Sequence, residues 1–270
     1  MELIVGLLIM STFMAGVTGI YLNSSWYTYN NEIIIRTEES ARSVLDIIIY
    51  DLRMLGTGMP IGQSNFSIDD EDIGTAALPL LTSSDSNDLT FRLNETGAQA
   101  ITTAEFDPSA GQTIQLTDTS DFSAGDFVYV SDSTAGGSDG LRGEISSVTN
   151  SQITLNGVYQ TADGSVFPLG STVSRVVTVD FESMSDWDGI TRDNGTGEVL
   201  LAENVEFEVV YYDSNGDEIE TPLSESEILN ELTTIEVTVT ARSSSDLRDG
   251  SRYYAEARQT VALRNLILVR

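Results

Sequence analysis

Leu3–Leu22 reads LIVGLLIMSTFMAGVTGIYL, with Glu2 in front of it, and its reading decides the fold. About 20 consecutive apolar residues are what a helix needs to cross the hydrocarbon core of a bilayer. No charged residue appears from Leu3 to Asn31, a run of 29. Beyond Asn31 the character changes without a break. Ile34, Ala41, Leu45, Ile48, Leu52 and Leu55 recur at helical spacing, which predicts one buried face. Glu32 with Arg36, Glu38 with Arg42 and Arg42 with Asp46 stand at i,i+4 on the other side. Gly56, Gly58 and Pro60 are stop signals. The first 55 residues therefore read as one helix, apolar at the start and amphipathic further on. A signal peptide would have a positive n-region and a cleavage site of small residues. Here the first charge is negative and no Arg precedes Arg36. A plain anchor needs neither an acid at its head nor an unbroken amphipathic continuation.

Those residues resemble a family. An apolar helix headed by one Glu and followed by Glu39–Gly56 (ESARSVLDIIIYDLRMLG) is similar to the type IV pilins and type II secretion pseudopilins. It is nearest to their larger W-type and J-type members. Leu201–Asp213, Leu232–Ala241 and Tyr254–Asn265 look like the C-terminal strands of the same family. The resemblance covers about half the chain. It departs at one point: only Met1 precedes Glu2, so the expectation is a sequence that begins inside the mature chain or at a displaced start. The resemblance implies a filament subunit stored in the inner membrane and assembled with identical or homologous subunits through its N-terminal helix. It implies that Glu2 meets the N-terminal amine of its own or a neighbouring subunit. It also implies that Gly16 and Gly19 let the helix loosen on assembly. As residues alone, Gly6, Gly16 and Gly19 beside Ser11, Thr12 and Thr18 fit close helix packing. Tyr21, Trp26 and Tyr27 fit either an interfacial belt or contacts between neighbouring helices.

Charge and absences narrow the function. The net charge is −29 and all 13 basic residues are Arg. Such a surface repels nucleic acid, so none is expected as a partner. Without His, Cys or Lys there is no Ser-His-Asp triad, thiol nucleophile or Schiff base. Zinc, haem-His and iron–sulfur sites lose their ligands as well. Carboxylate chemistry and hard cations remain, and a membrane-tethered glycosidase-like enzyme stays as a remote alternative. The expectation is a chain that is not an enzyme.

The chain divides by composition. Residues 1–58 form the helix, with 3–22 apolar and 31–55 amphipathic. Residues 59–110 read as a connecting loop with a first strand, Asp88–Leu93. Residues 111–179 carry β-rich runs about ten residues apart, which suits a small inserted barrel or sandwich. Residues 180–270 hold the family-like antiparallel strands. Val205–Tyr211 and Ile235–Val239 alternate, and a final strand runs from Arg252 to about Leu268. The fold class is α+β, a long helix packed on an antiparallel sheet with a β insertion. Asp213, Asn215 and Asp217, with Glu220 downstream, are candidate calcium ligands. Gly216 is misplaced for an EF-hand loop, and Asn215-Gly216 is also a hairpin signal, which is the reading taken. No other cofactor is expected. The loop Asp186–Glu198 reads the same way, as an acidic connection.

Overall fold

The computed structural model describes residues 2–61, 63, 66, 74–132, 140–159 and 166–263. The acidic run Asp69–Asp72 and the end of the last strand beyond Leu263 lie outside them. In chain order, helix α1 (Glu2–Leu52) is followed by β1 (Asp88–Leu93), β2 (Gln99–Ile101), β3 (Thr113–Gln115) and β4 (Phe127–Ser131). Then come β5 (Gly140–Val148), β6 (Gln152–Tyr159), β7 (Thr172–Arg175), β8 (Val177–Met184), β9 (Gly189–Asp193) and β10 (Val199–Ala202). The chain continues with β11 (Val205–Tyr212), β12 (Glu218–Ile219), helix α2 (Glu225–Asn230), β13 (Thr234–Arg242) and β14 (Tyr254–Ala262). The fold class is α+β: one long N-terminal helix with several antiparallel sheets.

α1 runs unbroken for 51 residues, about 77 Å at the helical rise. Its second half lies on β13 and β14. Ala41, Val44, Leu45, Ile48, Ile49 and Leu52 are buried there with Phe207, Val209, Val237 and Val239. Burying five such large side chains and Leu55 contributes on the order of 10 kcal/mol before chain entropy is subtracted. Ile34 is only half-buried, while Thr37, Val44 and Ile49 join the buried face. Of the three anticipated i,i+4 pairs, Arg36 meets Glu32 at 2.5 Å. Glu38 instead accepts a hydrogen bond from the Tyr253 hydroxyl at 3.2 Å.

Two four-stranded sheets form the platform, in the orders β1-β8-β9-β10 and β12-β11-β13-β14. In the second sheet, Val205, Phe207, Val209 and Tyr211 face the core and Glu206 and Glu208 face outward, as alternation demands. α2 starts at Ser224, whose side chain and that of Glu227 form a reciprocal capping box. β9 corrects the sequence reading of Asp186–Glu198 as a connection. Ile190 is fully buried and Thr191 nearly so, and the segment is an interior strand between β8 and β10.

The insertion is a six-stranded sheet in the order β2-β7-β4-β5-β6-β3. Its ends meet. Thr102 bridges Leu116, Thr103 donates its N–H to the Gln115 carbonyl at 2.9 Å and Thr117 donates to the Ile101 carbonyl at 2.9 Å. The sheet thus closes into a small barrel filled by Phe106, Phe122, Phe167, Val128, Val130, Leu155 and their neighbours. The boundaries 111–179 shift accordingly. β2 brings the start of the module forward to Gln99. Its end is Arg175, because β8 pairs with β1 in the platform.

Candidate assembly surface along the N-terminal helix

The first half of α1 has no partner within the chain. Every residue from Gly6 to Leu22 is exposed, including Leu7, Leu8, Phe13, Ile20 and Tyr21. An ordinary soluble helix hides one apolar face. This one is apolar all round and hides none, so its low free energy requires lipid or other protein. The segment is long and apolar enough to cross a membrane.

The candidate assembly residues lie on this rod. Glu2 opens the helix, and its side chain lies outside the described residues. Gly16 and Gly19 sit in continuous helix, and a Cβ added at either would touch nothing within 4 Å. In the isolated chain neither glycine is needed for intramolecular fit, and the helix is not loosened there. Tyr21 and Tyr27 are 71% and 65% exposed. Trp26 makes an edge contact with Tyr29 at a centroid distance of 5.9 Å. Tyr21 lies at the end of the apolar run, and Trp26 and Tyr27 follow about one turn beyond it.

At this level a second element reaches the helix. The loop between β13 and β14 extends beyond the sheet. Arg248 donates from Nη1 to the Asn23 Oδ1 at 3.2 Å and from its backbone N–H to the Asn30 Oδ1 at 3.4 Å. Its guanidinium also lies 5.8 Å from the Trp26 ring centroid. The loop is tied to itself. Arg252 pairs with Asp246 and donates to the Ser243 carbonyl at 2.6 Å. Asp249 accepts the N–H and hydroxyl of Ser251 at 3.0 and 2.6 Å. Nothing in the sequence around Arg248 marks it as a helix contact, because its partners lie more than 200 residues away.

The far end of the helix is held by a half-buried ion cluster that sequence reading also missed. Arg192 reaches Asp51 at 2.8 Å and Glu95 at 2.6 Å, and Asn194 donates to Glu95 at 2.9 Å. Burial outweighs the arginine at Asp51, whose carboxyl is pushed above its ordinary value. At Glu95 burial also raises the pKa, but the hydrogen bonds from Arg192 and Asn194 outweigh it and hold the carboxyl below its ordinary value. The arrangement is a structural clamp between α1, the segment after β1, and β9.

The acidic hairpin resolves as a turn. Asp213 Oδ1 accepts the N–H groups of Asn215 and Asp217, each at 2.8 Å, and Oδ2 accepts the Asn215 amide at 2.9 Å. The Asp217 N–H in particular holds the Asp213 carboxyl below its usual range. Gly216 takes φ +86°, which a tight turn requires and glycine adopts freely. Asp213, Asn215 and Asp217 are therefore brought together. Glu220 follows β12 and takes no part in these hydrogen bonds. Among the described residues, no group of three or more carboxylates is placed to hold a metal ion.

One further acid pair stands on the platform edge. Asp88 and Asp180 flank Thr90, whose hydroxyl lies 3.2 Å from Asp88 and 2.7 Å from Asp180. One hydroxyl proton cannot serve both. Burial first, and then the negative charge of Asp180, push Asp88 up to about 6.

No family model matches the chain, and no curated protein does. Among solved structures, it is similar to the Gp54 tailspike of Acinetobacter baumannii bacteriophage AP22, at 16% identity over 30% of this chain, with a TM-score of 0.22. It is similar to the endosialidase of phage phi92 at 12% identity over 63%, with a TM-score of 0.16. A lipase of Bacillus licheniformis in its propeptide form shares 10% identity over 67%, with a TM-score of 0.14. The chain spans 15%, 33% and 42% of those three proteins. At such scores the likenesses carry no argument about fold or function.

Proposed function

We propose that this chain is a structural subunit of an extracellular, type IV pilus-like filament. The observation that carries the reading is the rod of residues 6–22, apolar on every side, exposed on every side, and continuous with a helix whose second half is seated on a β platform. In the inner membrane, lipid covers the rod before assembly. In the fibre, neighbouring rods cover it, and the β domains face outward. The exchange is tolerable because burial against protein replaces burial in lipid at similar free energy per side chain. Glu2 is the polar exception at the head of the rod, and a carboxylate in hydrocarbon costs a few kcal/mol unless paired. By the family resemblance its partner is an N-terminal amine. The chain's role is structural rather than catalytic.

A tip or priming subunit is the second reading, favoured by the likeness of Glu39–Gly56 to W-type members and by the bulk of the inserted barrel. Negative-stain microscopy of the purified full chain tests both. Uniform fibres containing only this chain support the main subunit, and fibres that appear only with a second pilin support the tip role. A chain that forms no fibre under either condition removes the filament reading. Within a fibre-forming preparation, Glu2→Ala is expected to lower fibre yield while circular dichroism of the β domain stays unchanged.

A further inference from the structure

We propose that the loop joining β13 to β14 is a membrane-contact surface, with its tip at Leu247–Gly250 resting on the phospholipid headgroup layer while α1 spans the bilayer. The inference rests on the spanning reading of the apolar rod and adds to it a second, independent point of contact.

The position follows from helix geometry. Ile4 to Asn23 measures about 29 Å along the axis, close to the roughly 30 Å of a hydrocarbon core. The loop meets α1 at Asn23, Trp26, Tyr27 and Asn30, directly past that length. It bears Asp246, Arg248, Asp249 and Arg252, so it cannot enter hydrocarbon. It is also fastened to the helix through Arg248, so it cannot stand clear of the surface when the rod is fully inserted. The headgroup layer is the one level left to it.

The chemistry suits that layer. Asp246 is paired with Arg252, and Asp249 accepts both Ser251 donors on Oδ1, which leaves Oδ2 for a cation. Arg248 is exposed and has no carboxylate partner among the described residues, so donors remain for a phosphate oxygen. Trp26 and Tyr27 stand at the same level, where amphipathic aromatic side chains are at home. An open cleft of about 420 Å³ lies between Trp26 and Tyr27 on one side and Leu247, Arg248 and Asp249 on the other. A zwitterionic headgroup fits it: the phosphate meets Arg248, and the cationic amine meets Asp249 and the ring faces. The net charge of −29 disfavours an anionic lipid in the same place.

The absence of cysteine makes single-site spin labelling clean. Labels are placed at Leu247, at Ser245 in a second sample, at Thr12, and at Asn215. The last lies on the β11–β12 turn at the opposite end of the second sheet, one eight-residue strand away. The full chain is reconstituted as one copy per phosphatidylcholine nanodisc, and accessibility to oxygen and to an aqueous nickel chelate is read by EPR. The expected result is Thr12 in hydrocarbon, Leu247 and Ser245 at headgroup depth, and Asn215 in water. Arg248→Gln is expected to abolish most of the lipid contact at Leu247 while leaving Thr12 at depth. If Thr12 lies in hydrocarbon and both loop labels are as water-exposed as Asn215, the loop proposal is overturned and the span survives. Protection of the loop labels only when two copies share a disc overturns it in favour of a contact between copies. A Thr12 label in water removes the span, and the loop proposal with it.

Discussion

The two halves of α1 are both rich in apolar residues, yet they behave as different materials. From Ala41 to Leu52 the helix hides one stripe against the platform, with Ile48 at 0% exposure, and offers solvent Arg42, Ser43 and Asp46. From Gly6 to Leu22 it hides nothing, and Ile20 is 74% exposed. The first pattern specifies a partner inside the chain, because only one face needs covering. The second leaves every face uncovered within the chain, so nothing in this fold accounts for its apolar character. Hydrophobic content alone does not distinguish a core helix from an assembly helix; the angular distribution of that content does.

The largest break in the comparison is removal of the first half. A chain beginning at Asn31 is expected to be soluble and monodisperse by light scattering, where the full chain requires detergent or lipid. Aggregation of the shortened chain would mean that the β domains themselves associate. Next is the buried stripe: Ile48→Ala is expected to cost about 4 kcal/mol in denaturant unfolding of the shortened chain, by loss of burial plus a cavity. Leu8→Ala in the full chain is expected to leave unfolding of the β domain unchanged within about 0.5 kcal/mol. Equal effects at the two sites would erase the distinction.

Arg192→Ala leaves Asp51 and Glu95 facing one another without the cation between them, and is expected to cost about 3 kcal/mol. Recovery of stability at acid pH, once the two carboxyls take up protons, would identify the charge rather than packing as the cause. The smallest effect is at Asp88. Its ordinary value is 3.8 and its folded value is about 6. Between these the folded chain holds a proton that the unfolded chain releases. Stability therefore falls as pH rises through this window, and the loss is complete above about pH 6. Asp88→Asn is expected to raise stability at pH 7.5 by about 1 kcal/mol, allowing for partial exposure of the site to solvent, and to flatten this part of the pH profile. The gain should be the same with or without residues 1–30.

Legibility follows the range of the interactions. The helix and its stripe are local patterns and can be read directly. So can the alternation of β11 and the Asn215-Gly216 turn. The Ser224-x-x-Glu227 capping box was equally local, and it marks the start of α2 for a reader who looks for it. Pairing between distant segments is not local. Thr172–Val179 reads as one β run, yet Arg175 ends a barrel strand and Val177 begins a platform strand, with only Val176 between them. The identity of each sheet depends on a distant partner: Thr172 pairs with Ile101, whereas Val177 pairs with Leu93. Arg192 sits in a stretch whose Gly and Asp content signals a turn, while its role is set by Asp51 and Glu95. The uncovered apolar rod was visible as an unusual composition. The loop that grips the helix beside them was not, since Arg248 among Ser, Asp and Gly looks like any hairpin end.

The entry and exit of the barrel are neighbours. Leu93, the last platform residue before it, is the ladder partner of Val177, the first platform residue after it. Without the insertion, β1 and β8 would be a plain hairpin. With it, their pairing must close a loop of more than 80 residues, and chain statistics put the added entropy cost at about 3 kcal/mol relative to a tight turn. A barrel that has already folded presents the two ends side by side and removes most of that cost. The order in which the molecule can assemble efficiently is thereby constrained. Its central module acts as the turn of the hairpin into which it is inserted, so the platform beneath α1 closes most cheaply after the barrel has done so.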